Sequence, residues 1–155
     1  MLNLATTVKG DKELARKFDK AGKTMPKAVE RAMWKCVYMV QRTAKRKVTG
    51  GNPLNVRSEV LRASILPEVK KIHGNEYEGR VGTNVIYGKI HEYGATIRAK
   101  TGEYMTWPGA TGWVKAREVR IPARPWLNPS LEENRKKINK TLGMEVKDHF
   151  KKHRL

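Results

Sequence analysis

Acidic residues are scarce in this chain. Fifteen Asp and Glu face 33 Lys and Arg in 155 residues, a formal net charge of +18. Such an excess repels copies of the same chain and attracts anions, so nucleic acid and acidic protein surfaces are the partners it fits. Cysteine is scarcer still. Cys36 stands alone, which excludes an intrachain disulfide, and its apolar helical surroundings predict a small packed hydrophobe. No run approaches the roughly 18 apolar residues that a membrane span needs. The N-terminus also lacks the apolar core of a signal peptide. The expectation is a protein made in the cytoplasm, used in a reducing compartment, with no membrane partner.

Catalytic constellations are missing as well. His91-Glu92 begins like a zinc-protease motif, but the second histidine would fall at Ala95. His91 is instead expected to bond backbone near a helix end. Ser58, Ser64 and Ser130 lack the context of a nucleophile elbow. Gly50-Gly51 leads to Asn52-Pro53 and not to the Lys and hydroxyl of a phosphate loop. His149 and His153 are spaced to share one helix face, half of a zinc site, but no third ligand is near and the surroundings are cationic. A solvated tail is the expectation there. No catalytic residue, metal site or cofactor is assigned, and the chain is expected not to be an enzyme.

Apolar periodicity is what the sequence does contain. Helical spacing begins at Asp11, with Leu14 and Phe18 four apart. Gly22 and Pro26 are expected to interrupt it, with Thr24 capping a restart. Val29, Met33, Cys36, Val37, Val40 and Ala44 then recur at three- and four-residue steps, one stripe of a long amphipathic helix. Trp34 and Tyr38 form a second, offset pair. That pair faces either the chain's own sheet or a neighbouring subunit. Lys45, Arg46 and Lys47 suit the helix's negative end.

Residues 49–53 read as a loop, and 56–64 hold one helical turn with Val60 and Leu61 buried. Strands at 65–72 and from Tyr77 to Thr83, joined by a turn at 73–76, make a hairpin. Ile86, Ile90 and Tyr93 predict a short helix that Gly94 terminates with a positive φ. Residues 96–99 and 114–121 read as a second strand pair. The segment between, 100–112, is a long loop or an extended hairpin tip carrying Tyr104, Met105 and Trp107. Pro122, Pro125 and Pro129 precede a last helix. Its start is capped by Asn128 or by a box of Ser130 and Glu133, and its face is Leu131, Ile138, Leu142, Val146 and Phe150. The whole is one domain, residues 1–155, of α+β class. An antiparallel sheet with a long β-hairpin packs against a long N-terminal helix and a C-terminal helix.

Basic residues cluster at 45–47, 70–71, 135–137 and 151–152. Phosphate contact needs little more than such clusters, whereas base reading needs a docking motif, and none of the common ones is present. A basic module that contacts nucleic-acid backbone without sequence preference is therefore one reading of the chain.

A second reading comes from a resemblance. VGTNVIYGKIHEYGATI, then a Gly- and Trp-containing hairpin, then VRIPARPWLNPSLEENRKKI resembles the virion-morphogenesis and tail-component proteins of tailed bacteriophages. The matching elements are Gly82-Thr83, the run from Tyr87 through His91, Glu92, Tyr93 and Gly94, and the run Pro122, Ala123, Arg124, Pro125, Trp126, Leu127. Upstream, VRSEVLRASI is similar to a further family segment, with Glu59 where the family more often has glycine. The resemblance implies a structural neck or tail-completion subunit. Such subunits are made in the host cytoplasm and assemble as a hexameric or dodecameric ring at the head–tail junction of the virion. Their partners are other neck, head-closure, tail-terminator and tail-tube proteins, with DNA passing through the channel. Expected subunit contacts are Trp34, Tyr38, Tyr104, Met105, Trp107, Trp113 and Arg124. Arg124 is expected to pair with Glu92 or with a neighbour's backbone, and Trp126 and Leu127 to anchor the last helix.

Overall fold

The computed structural model describes residues 11–153 except 52, 55–58, 75, 101 and 102. Its elements run α1 (Asp11–Thr49), α2 (Val60–Ser64), β1 (Leu66–Lys71), β2 (Tyr77–Gly82), α3 (Ile86–Tyr93), β3 (Ala95–Arg98), β4 (Met105–Gly109), β5 (Gly112–Ala116), β6 (Glu118–Ile121) and α4 (Leu127–Lys152). The class is α+β. The strands form three two-stranded antiparallel sheets: β1 with β2, β3 with β6, and β4 with β5. The β4–β5 ribbon is nested inside the β3–β6 ribbon, which makes residues 95–121 one long two-stage hairpin. Among the described residues, 11–39, 67–80 and 134–153 form one compact unit, and those within 40–66 and 81–133 form another.

α1 does not break at Pro26. A proline removes one helical hydrogen bond and crowds the preceding turn. The carbonyl deprived of a donor is Gly22 O, and the helix carries on through it. One turn earlier, Thr24 Oγ1 donates to Lys20 O at 2.9 Å, and His149 Nε2 lies 3.0 Å from Ala21 O. Ala21, Ala28 and Ala32 are buried on either side of the proline, in line with Cys36, Val37, Val40 and Ala44. The stripe read from the sequence is therefore the buried face, extended backwards by small residues. Leu14 and Phe18 are exposed.

The second unit closes around Ala44, Val48, Leu54, Leu61, Ile65 and Trp126, with Val81, Val85 and Leu127 against them. α2 contributes Leu61 alone. Val60, expected inside, is 55% exposed, because a five-residue helix can turn only one position inward. Glu59 occupies an ordinary right-handed helical conformation and pairs with Arg62 at 2.8 Å, so glycine is not needed there. Val56 and Ser58 lie outside the described residues. Ser64 donates to Leu61 O at 2.8 Å, so the 2.6 Å contact between the two hydroxyls is donated by Thr83. Thr83 in turn accepts the Val85 N–H at 3.1 Å. This chain of hydroxyls fixes the Leu-Arg-Ala-Ser-Ile and Gly-Thr segments against each other.

α3 presents Gly88 and Glu92 inward. Its Ile86 is 81% exposed and Tyr93 is also exposed, against the spacing that grouped them with Ile90. Gly88 explains the rotation. A Cβ there would lie 2.9 Å from Leu61 and 2.8 Å from Thr83, so only glycine lets the helix approach closely enough for Trp126 Nε1 to reach Gly88 O at 3.2 Å. Gly94 ends the helix at φ 74°, its N–H bonded to Ile90 O, as expected.

α4 turns partly away from the face its apolar residues suggest. Leu131 and Val146 are exposed and Ile138, Leu142 and Phe150 half-buried, while Ser130, Asn134 and His149 are buried. The buried positions of the helix are small or polar. Trp126, just before it, is 1% exposed and is the largest fully buried side chain. Trp126→Ala is expected to cost about 3–5 kcal/mol. Chemical denaturation of the variant checks this, and a midpoint equal to the parent's would contradict it.

Candidate assembly surfaces

Glu92 is buried at the end of α3, and its carboxylate faces the start of α4. One oxygen accepts the N–H of Trp126 at 2.7 Å and of Leu127 at 2.8 Å, and the other accepts that of Asn128 at 2.9 Å. The first N–H groups of a helix lack partners within it, and a negative charge there also meets the positive end of the helix dipole. The cap therefore comes from a residue 34–36 positions upstream. Asn128 and the Ser130–Glu133 pair do not provide it. Ser130 donates instead to Trp126 O at 2.5 Å, and Glu133 pairs with Arg46 at 3.7 Å and with Lys47.

The Pro-Ala-Arg-Pro segment completes a reciprocal arrangement. Arg124 N–H donates to His91 O at 2.7 Å, so the end of α3 receives a donor from the segment that Glu92 then binds. Arg124 does not pair with Glu92, whose oxygens go to three backbone donors. Its exposed guanidinium stands near enough to His91 to depress that imidazole's pKa, second to the effect of burial. His91 Nδ1 is buried without a partner among the described residues, in place of the backbone bond expected of it. The ring meets Tyr87 edge-on at 6.2 Å. A Cβ on Gly94 would lie 2.9 Å from Ile121 O and 3.0 Å from Ala123 N, so the segment runs directly over the glycine. Pro122 and Pro125 are exposed and carry no N–H, which leaves the donors at 124 and 126–128 to make these bonds.

Between these two clamped ends, β3 and β6 pair from Ala95↔Ile121 to Arg98↔Glu118, and Arg98 meets Glu118 at 2.8 Å. β4 and β5 continue outward, with Met105↔Ala116, Trp107↔Val114 and Pro108↔Trp113 opposite one another. Cross-strand partners share a face. Met105, Trp107, Val114 and Ala116 therefore line one side, and Pro108 and Trp113 the other. Met105 and Trp107 are half-buried, Tyr104 is exposed with Arg117 5.1 Å above its ring, and Trp113 is 77% exposed. Among the described residues, the extensive packing of each of these strands is against its partner. The expected hairpin tip is thus two short strands around a turn at Ala110-Thr111. Gly109 is required there, because a Cβ would lie 2.7 Å from Val114.

In the other unit, Trp34 and Tyr38 have ring centroids 5.6 Å apart, with Trp34 half-buried and Tyr38 exposed. The structure therefore gathers Tyr104, Met105, Trp107 and Trp113 on one ribbon, with Trp34 and Tyr38 as a separate pair on α1. Arg124 stands on the segment beside α3. Reading the sequence missed the exposure of Ile86. The signal was Gly88, whose place on a helix next to a tryptophan marks the buried face.

His149 and His153 make neither a metal half-site nor a free tail. His149 is buried against Ala21 O, and His153 Nε2 lies 3.1 Å from Thr24 Oγ1. Thr24 already donates to Lys20 O, so His153 donates to it as a neutral ring. The two imidazoles are 4.8 Å apart. Desolvation, then His149, Lys20 and Lys152, push the His153 pKa below its usual value. Cys36 is buried, and burial first and Glu145 second push its thiol pKa up, which keeps it protonated and unreactive at neutral pH. Among the described residues no group of three or more His, Cys, Asp or Glu is placed to hold a metal, and no helix is long and apolar enough to cross a membrane.

Fold and surfaces define a small basic α+β protein that displays aromatic groups on a long hairpin and on a helix face. The model of the phage virion morphogenesis family matches residues 13–147, and the chain belongs to that family. Membership gives it a part in virion assembly, with partners among other phage virion proteins. No curated protein and no solved structure gives a match.

Two outcomes follow from the site's geometry. Glu92→Gln keeps one acceptor oxygen but turns an amide N–H₂ toward backbone donors. It is expected to cost about 1–3 kcal/mol in denaturation experiments, and an unchanged stability would contradict the capping role. His91 and His153 both have lowered pKa values in the fold. The unfolded chain therefore binds more protons between those values and the ordinary histidine value of 6.5. Stability is complete above that ordinary value, falls as pH drops below it, and levels off below the folded-state pKa values. Melting temperatures measured from pH 7.5 down to 5 should show the fall, and His153→Gln should lessen it.

Proposed function

We propose that this chain is a neck or tail-completion subunit that assembles as a ring at the head–tail junction and joins tail to head. The observation that carries the reading is the β4–β5 ribbon. It holds Tyr104, Trp107 and Trp113 on a two-stranded arm that is paired internally, with Tyr104 and Trp113 exposed. An isolated two-stranded hairpin is marginal in water, and large aromatic groups on one are stabilised when a second surface covers them. An arm of this kind suits a grip on a neighbouring subunit, and membership of a virion-morphogenesis family supports a role in assembly.

The role is non-catalytic. The groups that could do acid–base or nucleophilic chemistry hold structural positions: Glu92 caps α4, His149 meets Ala21 O, and the Cys36 thiol is buried. Affinity would come from shape and from the aromatic anchors, with Trp34 and Tyr38 as a second contact on α1. Multiple copies of a +18 chain repel, so assembly is favoured by acidic partners that lie between or above the subunits.

The test replaces residues 100–116 by Asn-Gly. Ala99 N bonds to Arg117 O, so a two-residue turn closes the β3–β6 ladder without a change of register. The shortened protein is expected to melt within a few degrees of the parent. In a phage that depends on it, full heads and finished tails should accumulate unjoined. Infectious particles at normal yield would overturn the reading. Should the shortened chain fail to fold, Trp113→Ser with Tyr104→Ser alters the same arm without touching its backbone, and the same unjoined particles are expected.

A further inference from the structure

α4 has an outward face that the assembly reading leaves unused. Lys136, Lys140, Lys147 and Lys151 are exposed. Their spacings of four, seven and four residues place them within about 60° of arc on a helix of 3.6 residues per turn, along about 22 Å of its length. Asn134 and His149, both buried, lie on the opposite side of the helix. The acids of the helix beyond Asn134 are Glu145 and Asp148, and both fall outside the arc. Glu145 is bound to Lys35. Among the described residues none of the four lysines has an ion-pair partner. The face is thus a straight row of four cations with no acid in it.

We propose that this row is a binding site for duplex DNA, read through the phosphate backbone and independent of sequence. A duplex carries one phosphate per about 1.7 Å of axis, so about a dozen phosphates of the two strands fall within the row's length, and those on the facing side are available to the four lysines. The composition separates DNA from other anionic surfaces. Protein interfaces are depleted in lysine and enriched in arginine and aromatic groups, and this arc has only lysine as its charged residue. Single-stranded nucleic acid is held by aromatic stacking platforms, and no aromatic residue lies on the arc. A membrane-surface helix needs a free apolar face opposite its lysines, and here that side is buried against the chain's own residues. The proposal stands apart from ring assembly, since the row is complete on one chain.

The experiment uses the full-length protein and a fluorescein-labelled 30-base-pair duplex of arbitrary sequence, with anisotropy titrations from 50 to 200 mM NaCl. Four phosphate contacts alone give an affinity loss of about 150-fold over that range, a slope of about −3.6 in log K against log salt. The variant Lys136→Gln/Lys140→Gln/Lys147→Gln/Lys151→Gln is expected to lose about three to four units of slope. The variant Lys71→Gln/Lys89→Gln/Lys100→Gln/Arg120→Gln removes the same charge from exposed positions elsewhere and is expected to lose less than one. The fourfold change to arginine on α4 should keep the parent's slope. Circular dichroism melts verify that each variant is folded, as the near-equal helix propensities of Lys, Gln and Arg lead one to expect. Equal behaviour of the two glutamine variants would overturn the proposal, because binding would then follow net charge alone. It would also be overturned by absence of binding at 50 mM salt, by preference for the single strand, or by polyglutamate competing as well as duplex.

Discussion

One carboxylate holds the second unit in register. Glu92 sits at the last turn of α3 and accepts three successive backbone donors at the first turn of α4. A local cap would have satisfied the same donors but tied nothing together. Because the cap is remote, the end of one helix and the start of another are fixed as a pair, and everything between them becomes an excursion with a rigid base. The Arg124 N–H to His91 O bond returns the favour in the other direction, and Gly94 allows the two strands of chain to cross at contact distance. Trp126 then enters the core with its N–H already directed at Gly88 O.

That rigid base explains how the chain carries a hairpin with so little packing of its own. Residues 95–121 leave and return beside each other, through a β3–β6 ladder whose ends are held by Gly94 on one side and the Pro-Ala-Arg-Pro segment on the other. The cost of closing the loop is met at its foot. Its outer strands are consequently free to carry side chains that suit another surface better than water. Exposed aromatic groups stand on this arm and on α1, and a row of exposed lysines runs along α4. On the readings proposed above, these two chemistries fit different counterparts, protein for the first and polyanion for the second.

Much of this was legible in the sequence. The α1 stripe, the Gly94 stop, the α3 helix and the β1–β2 and β3–β6 pairings follow from apolar period and turn residues, which act locally. The strand read at 114–121 is divided between β5 and β6, and β4 lies in what reads as a loop. What escaped depends on contacts that no local pattern encodes. Pro26 reads as a break, yet the helix runs through it, with small alanines buried on both sides of the proline. The apolar residues of α4 suggest one face, yet small and polar residues are buried, because close approach and hydrogen bonding decided the rotation. Glu92 looks like part of a broken zinc-protease motif in sequence, and only three-dimensional proximity to residues 126–128 shows it to be a cap. The aromatic residues of the hairpin were recognisable as unusual for a loop, but their division between two faces required the register.

The proposed role is that of a ring-forming subunit at the junction of head and tail. Its most direct test is a density map of intact virions assembled with a C-terminally tagged copy of the chain, compared with a map of untagged virions. Extra density repeated around the axis at the head–tail junction is the predicted result. Extra density on the capsid shell or at the distal tail tip would contradict the claim, as would a mature particle that contains no copy of the chain.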